Sequence, residues 1–506
     1  MIFRRLCVAA FVVCFASAGL AQRASRSPAP AAKQEQKNDA GPGVLRLLPS
    51  DSTTRHSVTL ADGKSFAYTA TAGTLPLYDQ SGAQTASVFF TAYVADGEQG
   101  SKRPITFAFN GGPGAASAYL HLGVVGPKIL DFGAHYDAAT AQLRDNPQTW
   151  LEFTDLVLID PIGTGWSRTA KSDDASKFFS VDSDAEFFAK VIALYIAKNS
   201  RSASEKYLLG ESYGGFRAPK VARKLLQDQG VSINGIVMVS PMLEPQLTFG
   251  GERLVLSAAL RLPSLAAAQL ERTHSMSSQA IGEAERFAMH EYLTTLAGPA
   301  PQGEAARSFY SRVAAMAGVP EDVAAKSRGV IPNEALKQLR SAAGKIASIY
   351  DGSFAVDDPF PERAGERGPD PVLDGFTRAY AGAFVGYARD QLGFKTDMTY
   401  VLLSPEISRK WQWRDGHRDQ ISVSDDLRIL LAQNPSFRLV IAHGYSDLVT
   451  PYMDSRYVIE HLPPFEGPQR VQLPLYSGGH MFYVADDSRK RFTADMKLFF
   501  TRGSRS

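Results

Sequence analysis

The sequence predicts an α/β fold, a mostly parallel sheet flanked by helices and interrupted by a helical insertion. Three observations predict it. Short apolar runs bounded by Gly, Pro or Asp recur at 105–109, 156–159, 207–209, 236–239, 437–442 and 471–475, the pattern of strands buried on both faces. Helical periodicity at 185–197, 214–227, 452–461 and 487–500 falls between several of these runs, as crossover connections require. One strand-to-helix junction carries Gly210-Glu211-Ser212-Tyr213-Gly214, a G-x-S-x-G string in the context that its chemistry needs.

Taken in chain order, the first 21 residues stand apart. Arg4 and Arg5 precede an apolar run from Leu6 to Leu20, and small residues around Ala16, Ala18 and Ala21 offer cleavage sites, so 1–21 reads as a secretory signal peptide. The run is shorter than the ~20 residues of a spanning helix. Both cysteines, Cys7 and Cys14, lie inside it, so the remaining chain has neither disulfide nor thiolate chemistry. Residues 22–43 hold almost nothing that could form a core and read as a flexible linker.

Residues 44–245 form the first part of the predicted core. Alternating apolar positions between 56 and 95, broken at Asp62-Gly63 and Ser81-Gly82, predict hairpin strands ahead of the parallel ones. Residues 246–395 change texture. They are rich in Ala, Leu, Glu and Arg, and periodicity predicts helices at 265–272, 280–296, 305–316 and 334–349 with no strands of note. This stretch is expected to be a helical lid, or else an independent inserted domain. Strand-like texture resumes after Thr399, so 396–506 completes the core.

Basic residues number 54 and acidic residues 52, which gives no support to a nucleic-acid partner or an anionic membrane surface. Loss of Arg4 and Arg5 with the leader would leave the two classes equal. No nucleotide-binding loop is present. His290-Glu291 begins like a zinc-helix motif, but Thr294 stands where the second histidine belongs, so neither metal nor cofactor is expected.

The chemistry concentrates around Ser212. A sharp strand-to-helix turn exposes a serine oxygen, and flanking glycines tolerate the crowding, which points to the α/β-hydrolase fold with Ser212 as nucleophile. A serine nucleophile needs a base, and the base needs an orienting acid, in the chain order Ser, Asp or Glu, His. His480, in a loop after the run 471–475, is the candidate base. His461 ends a helix before Pro463 and reads as a helix-terminal residue. Asp447, in the loop after 437–442, is the candidate acid, although it could cap the following helix; Glu244, after 236–239, is the alternative. An oxyanion hole should combine the backbone N–H of Tyr213 with one from the loop Asn110-Gly111-Gly112-Pro113-Gly114.

At these residues the sequence resembles the serine carboxypeptidase family, peptidase family S10. Phe109 to Gly114 resembles its oxyanion segment, Gly210 to Gly214 with Pro219 its nucleophile segment, and Gly479-His480-Met481 its histidine segment. Asp160-Pro161-Ile162-Gly163-Thr164-Gly165-Trp166-Ser167 resembles a further family stretch. The matches run in family order across about 105–245 and 399–500. The resemblance implies release of the C-terminal residue of peptides through an acyl-enzyme. It assigns Ser212, Asp447 and His480 to the triad, Gly112 and Tyr213 to the oxyanion hole, and Asn110 and Glu211 to the substrate's terminal carboxylate.

The chain leaves the family pattern in two places. A second glutamate, expected three residues before Pro127, is Val124 here, and a disulfide cysteine after the Pro-Gly is Ala115. Without a neighbouring carboxyl, Glu211 is expected to ionise more readily than in the family, apart from any effect of burial. The resulting expectation is an exported carboxypeptidase acting on peptides or proteins. An esterase, acyltransferase or internal peptidase on the same triad is the alternative, and a binding protein on an inactive scaffold is the reading from another class. Oligomeric state, residue preference and natural substrate stay open at this level.

Overall fold

The computed structural model describes residues 41–97, 102–133, 136–250, 254–339, 344–363, 370–413, 417–465 and 470–503. The expected leader, 1–21, and most of the expected linker lie outside the described residues. Of that linker, Gly43 opens a 3-10 turn running to Leu47.

Three antiparallel strands begin the fold: β1 (Ser52–Thr59), β2 (Ser65–Tyr78) and β3 (Gln84–Ala95). They meet at the two turns marked by Asp62-Gly63 and Ser81-Gly82. β4 (Ile105–Phe109) follows, then a small hairpin of β5 (Lys128–Asp131) and β6 (Gln142–Asp145) that lies off the main sheet. β7 (Asp155–Ile159), a short β8 (Arg168–Thr169), β9 (Lys206–Glu211) and β10 (Gly235–Val239) complete the first part. After the insertion, which holds the hairpin β11 (Lys345–Ala347) and β12 (Ala355–Asp357), come β13 (Arg438–Gly444), β14 (Val471–Gln472) and β15 (Leu475–Tyr476).

The main sheet is ordered β1-β2-β3-β7-β4-β9-β10-β13-β14, with β15 also beside β13. β3 pairs antiparallel with β7, and every pair from β7 to the far edge is parallel. Alternation along the central strands explains the continuous apolar runs. Leu156, Leu158, Leu209 and Val237 face one core, while Val157, Ile159, Leu208 and Met238 face the other. The second face is covered by helices Val181–Lys198 and Tyr213–Gln229. The first receives Phe492, Met496 and Phe500 from the C-terminal helix Asp486–Gly503, together with Tyr380 and Phe384 from helix Pro371–Asp390. This mostly parallel sheet with helices on both faces is the α/β-hydrolase fold.

Inside the insertion, helices Val255–Arg272, Ser278–Phe287 and Gly303–Ala317 bury Leu262, Leu265, Phe287, Phe309 and Val313 in a cluster of their own. The helix expected at 334–349 does not form. Among the described residues of this segment only the 3-10 turn Asn333–Lys337 is helical, and β11 follows. Gly344 there has φ +73°, a left-handed conformation that no helix continues through, and Ile346 and Ala347 are buried as strand residues. The apolar run at 471–475 is likewise two short strands. Pro474 lacks the N–H that a continuous ladder would use, so pairing with β13 resumes beyond it. Among the described residues no helix is long and apolar enough to cross a membrane.

Candidate active site

β4 and β9 end side by side, with Phe109 opposite Gly210, so the chain leaves both strands toward one place. Ser212 lies between β9 and helix Tyr213–Gln229 with φ +60° and ψ −123°. That conformation folds the strand sharply into the helix and presents the serine side chain, which is only half-buried. The glycines are required by close approach. A Cβ on Gly210 would lie 2.1 Å from the Gly214 carbonyl oxygen, and one on Gly111 would lie 2.5 Å from the Tyr213 nitrogen. The Asn110–Gly114 loop therefore sits directly against the turn that carries Ser212.

The candidate acid and base are brought together. His480 Nδ1 lies 2.8 Å from Asp447 Oδ2, both residues fully buried. The remaining lone pairs of Asp447 are also used: Val449 and Thr450 N–H donate to Oδ1 at 2.9 and 3.0 Å, and the Thr450 hydroxyl lies 2.7 Å from Oδ2. Asp447 thus does organise the turn before helix Tyr452–Glu460, taking both backbone N–H groups on Oδ1, while Oδ2 is shared by the Thr450 hydroxyl and the histidine. With Nδ1–H committed to Asp447, Nε2 is the nitrogen of His480 left to accept a proton. Burial works against a charged imidazole, but the Asp447 carboxylate, its hydrogen bond and Glu211 outweigh it, and the pKa of His480 is raised.

Glu244, the alternative acid, instead accepts hydrogen bonds from Ser422 and Ser424. His461 bonds its own helix through the Tyr457 carbonyl. Two other buried histidines, His121 and His443, are held near 3 and 4 by burial, paired with the Tyr93 and Ser455 hydroxyls.

Asn110 and Glu211 form a second buried group beside Ser212. The Asn110 amide donates to Glu211 Oε2 at 2.6 Å, while Asn110 Oδ1 accepts the Leu120 N–H at 3.1 Å, which fixes the amide's orientation. Arg217 steadies the same loop from beneath, paired with Asp184 at 2.6 Å and donating to the Asn110 carbonyl at 2.5 Å. Burial pushes Glu211 up to about 7, against the pull of His480 and its two hydrogen-bond donors. The missing neighbour was expected to let Glu211 ionise more readily, apart from burial; burial acts the other way and is the larger effect. Val124 is fully buried in the apolar core.

Asn110, Gly112, Glu211, Ser212, Tyr213 and His480 all line one cavity of about 330 Å³. Its wall also includes Tyr350, Met242, Phe249 and Arg418. Several contributors carry no sequence signature. Tyr483 donates to Glu211, the Tyr350 ring stands perpendicular to His480 at 5.4 Å, and Glu271 accepts the Gly478 N–H at 3.1 Å and the Ser446 hydroxyl. Only Tyr483 lay near a recognisable motif, three residues beyond His480. Among the described residues no group of His, Cys, Asp or Glu side chains is arranged to hold a metal ion.

Comparison with known proteins bears on this arrangement. The model of the family described as serine carboxypeptidase matches residues 68–311, a span that includes β4, Asn110, Gly112 and Ser212. Over these residues the chain is similar to the serine carboxypeptidase family. Among curated proteins, it is 33% identical over 138 residues to the pheromone-processing carboxypeptidase kex1 of Schizosaccharomyces pombe, covering 27% of this chain and 25% of that one. It is 26% identical over 175 residues to serine carboxypeptidase-like 33 of Arabidopsis thaliana, covering 32% and 34%. The chain therefore spans only about a quarter to a third of the length of these serine carboxypeptidase relatives. Among solved structures, a soluble variant of monoglyceride lipase from Saccharomyces cerevisiae aligns with a TM-score of 0.37 at 12% identity, covering 85% of this chain and 96% of that one.

Proposed function

We propose that the protein is a serine-type carboxypeptidase that releases C-terminal residues from peptides through an acyl-enzyme. The observation that carries this reading is the cavity in which Ser212 and the Asp447-held His480 share a wall with the Asn110–Glu211 pair. In this mechanism His480 Nε2 takes the Ser212 proton as the serine oxygen attacks the scissile carbonyl. The N–H groups of Gly112 and Tyr213 receive the developing oxyanion, a placement supported by the contact between their two loops. His480 then protonates the leaving amine, and water repeats the sequence to release the acyl product.

Asn110 and Glu211 hold the free carboxylate of the leaving residue. A Glu211 that keeps its proton up to about pH 7 can donate a hydrogen bond to that carboxylate instead of repelling it. Substrates are peptides or proteins. Segment 246–395 acts as a lid, a role supported by the Phe249, Tyr350 and Leu373 side chains that it lends to the cavity wall. Export to a secreted or periplasmic location rests on the leader-like pattern of the first 21 residues.

The experiment is mass spectrometry of a defined peptide mixture incubated with the enzyme. Ladders of products shortened one residue at a time from the C-terminus are expected. Turnover of simple esters with every peptide left intact would overturn the carboxypeptidase reading in favour of an esterase, and internal cleavage would favour an endopeptidase.

A further inference from the structure

The cavity around Ser212 has two chemically different flanks, and the sheet order sets them apart. β4 and β10 lie on opposite sides of β9, so the Asn110 loop approaches Ser212 from one side and Met242, just beyond β10, from the other. The first flank is a closed hydrogen-bond network of Asn110, Glu211 and Tyr483. The second holds a cation. Arg418 reaches the cavity wall with its guanidinium over the Phe249 ring at 3.5 Å and the Trp413 ring at 4.9 Å. Its Nη2 lies 3.7 Å from Met242 Sδ, a weak acceptor. Trp413 in turn stands edge-on to Tyr213 at 5.8 Å, which ties the arginine to the residue after the nucleophile.

Among the described residues Arg418 has no carboxylate partner, and its Nε is buried without an acceptor. The contrast with Arg217, whose charge is met by Asp184, is direct. A stacked guanidinium on two aromatic faces is held in a fixed plane, with donors arranged as a fork that matches a carboxylate. Stacking satisfies its faces and leaves its edge to the cavity.

We propose that Arg418 is the receptor for an acidic side chain, Asp or Glu, on the acyl side of the scissile bond, the penultimate residue of the peptide. This rests on the carboxypeptidase reading in one respect: the terminal carboxylate occupies the Asn110–Glu211 flank. The residue whose carbonyl Ser212 attacks then projects toward the opposite flank, where Met242, Phe249 and Arg418 lie. The inference names a substrate preference that the family resemblance does not supply.

The test compares kcat/KM for N-blocked dipeptides Glu-Ala and Gln-Ala, which differ in charge and hardly in shape. The parent enzyme should favour Glu over Gln by on the order of tenfold or more, the scale of a charge-assisted hydrogen bond. Arg418→Gln should bring that ratio close to one, and Arg418→Lys should retain part of it. A parent ratio near one, or a ratio unmoved in Arg418→Gln, overturns the proposal. If Arg418→Gln instead abolishes discrimination between free and amidated C-termini, Arg418 holds the terminal carboxylate and the acyl-side assignment is wrong. Calorimetric binding of N-acetylglutamate against N-acetylglutamine separates this inference from the enzymatic reading. Tighter binding of the glutamate by the parent alone, with no peptide cleaved, supports the subsite and sinks the carboxypeptidase. Equal binding sinks the subsite whatever the activity.

Discussion

The Tyr483 hydroxyl lies 2.9 Å from both carboxylate oxygens of Glu211. The backbone of the segment containing Val124 is pressed against the same tyrosine, since a Cβ on Gly123 would lie 2.6 Å from the Tyr483 ring. Aromatic side chains therefore occupy ground beside Glu211, and a phenol replaces a carboxyl as its hydrogen-bonding neighbour. Burial then does by desolvation what a neighbouring acid would do by repulsion. Either keeps a proton on Glu211.

The first prediction follows from that proton. Glu211, raised to about 7, is neutral below that pH and ionised above it. The ratio of kcat/KM for a free-acid peptide over its C-terminal amide should be high below pH 7 and fall as pH rises through 7. Taking the ratio cancels the ionisation of His480, which both substrates share. Glu211→Gln, a permanent donor, should give a flat ratio across the same range. A ratio that rises with pH in the parent would show that Glu211 acts as a base and not as a donor.

The second concerns the nucleophile. Ser212→Ala should fold normally, since the side chain is only half-buried, but lose covalent labelling by fluorophosphonates. Turnover should fall by on the order of 10⁶. Label retained in the mutant, located by peptide mapping, would identify a different serine.

The third separates the two acids. Asp447→Asn should lower kcat by about 10⁴ with KM little changed, because His480 would be held in the wrong tautomer. Glu244→Gln should change kcat far less, as Glu244 bonds Ser422 and Ser424 and not the histidine. Steady-state kinetics of the two variants side by side decide it. The greater loss in Glu244→Gln would reassign the acid.

What the sequence displayed and what it hid differ by physical kind. The central strands were legible because burial on both faces leaves unbroken apolar runs, as at Leu156 to Ile159. Ser212, Asp447 and His480 could be singled out as candidates because backbone constraints punctuate the chain around them: glycines that nothing larger could replace, and loops that follow strand ends. The partners that complete the site were not. Tyr483, Tyr350 and Arg418 reach it from distant segments through side-chain packing, which leaves no periodic or local mark. The rise in the pKa of Glu211 was hidden for the same reason, since burial is a property of the folded surroundings. The segment 334–349 failed as a helix where Gly344 takes a positive φ, a cue present in the sequence but outweighed by alanine-rich periodicity.

The last prediction concerns Glu271, which the insertion contributes from the final turn of helix Val255–Arg272. Its Oε1 accepts the Gly478 N–H, in the loop that carries His480, and its Oε2 accepts the hydroxyl of Ser446, next to Asp447. One half-buried carboxyl thus clasps the loop of His480 to the loop of Asp447. Burial, with Asp351 adding to it, pushes Glu271 up to about 7 from an ordinary 4.5. Between those values the folded protein holds a proton that the unfolded chain has released, so unfolding free energy should fall as pH rises from 4.5 to 7 and level off above. Glu271→Gln keeps the shape without the titration and should remove a part of that slope, about 1–3 kcal/mol between pH 4.5 and 8. Glu271→Ala releases both loops and should lower kcat by about tenfold or more while KM changes little, because the Asp447–His480 pair loses alignment while the cavity wall is intact. Denaturant titrations at several pH values, run beside steady-state kinetics, provide both readouts. An unchanged pH slope in Glu271→Gln would mean that this carboxyl is not the group titrating. A kcat in Glu271→Ala equal to the parent's would mean that the two loops hold their alignment without it.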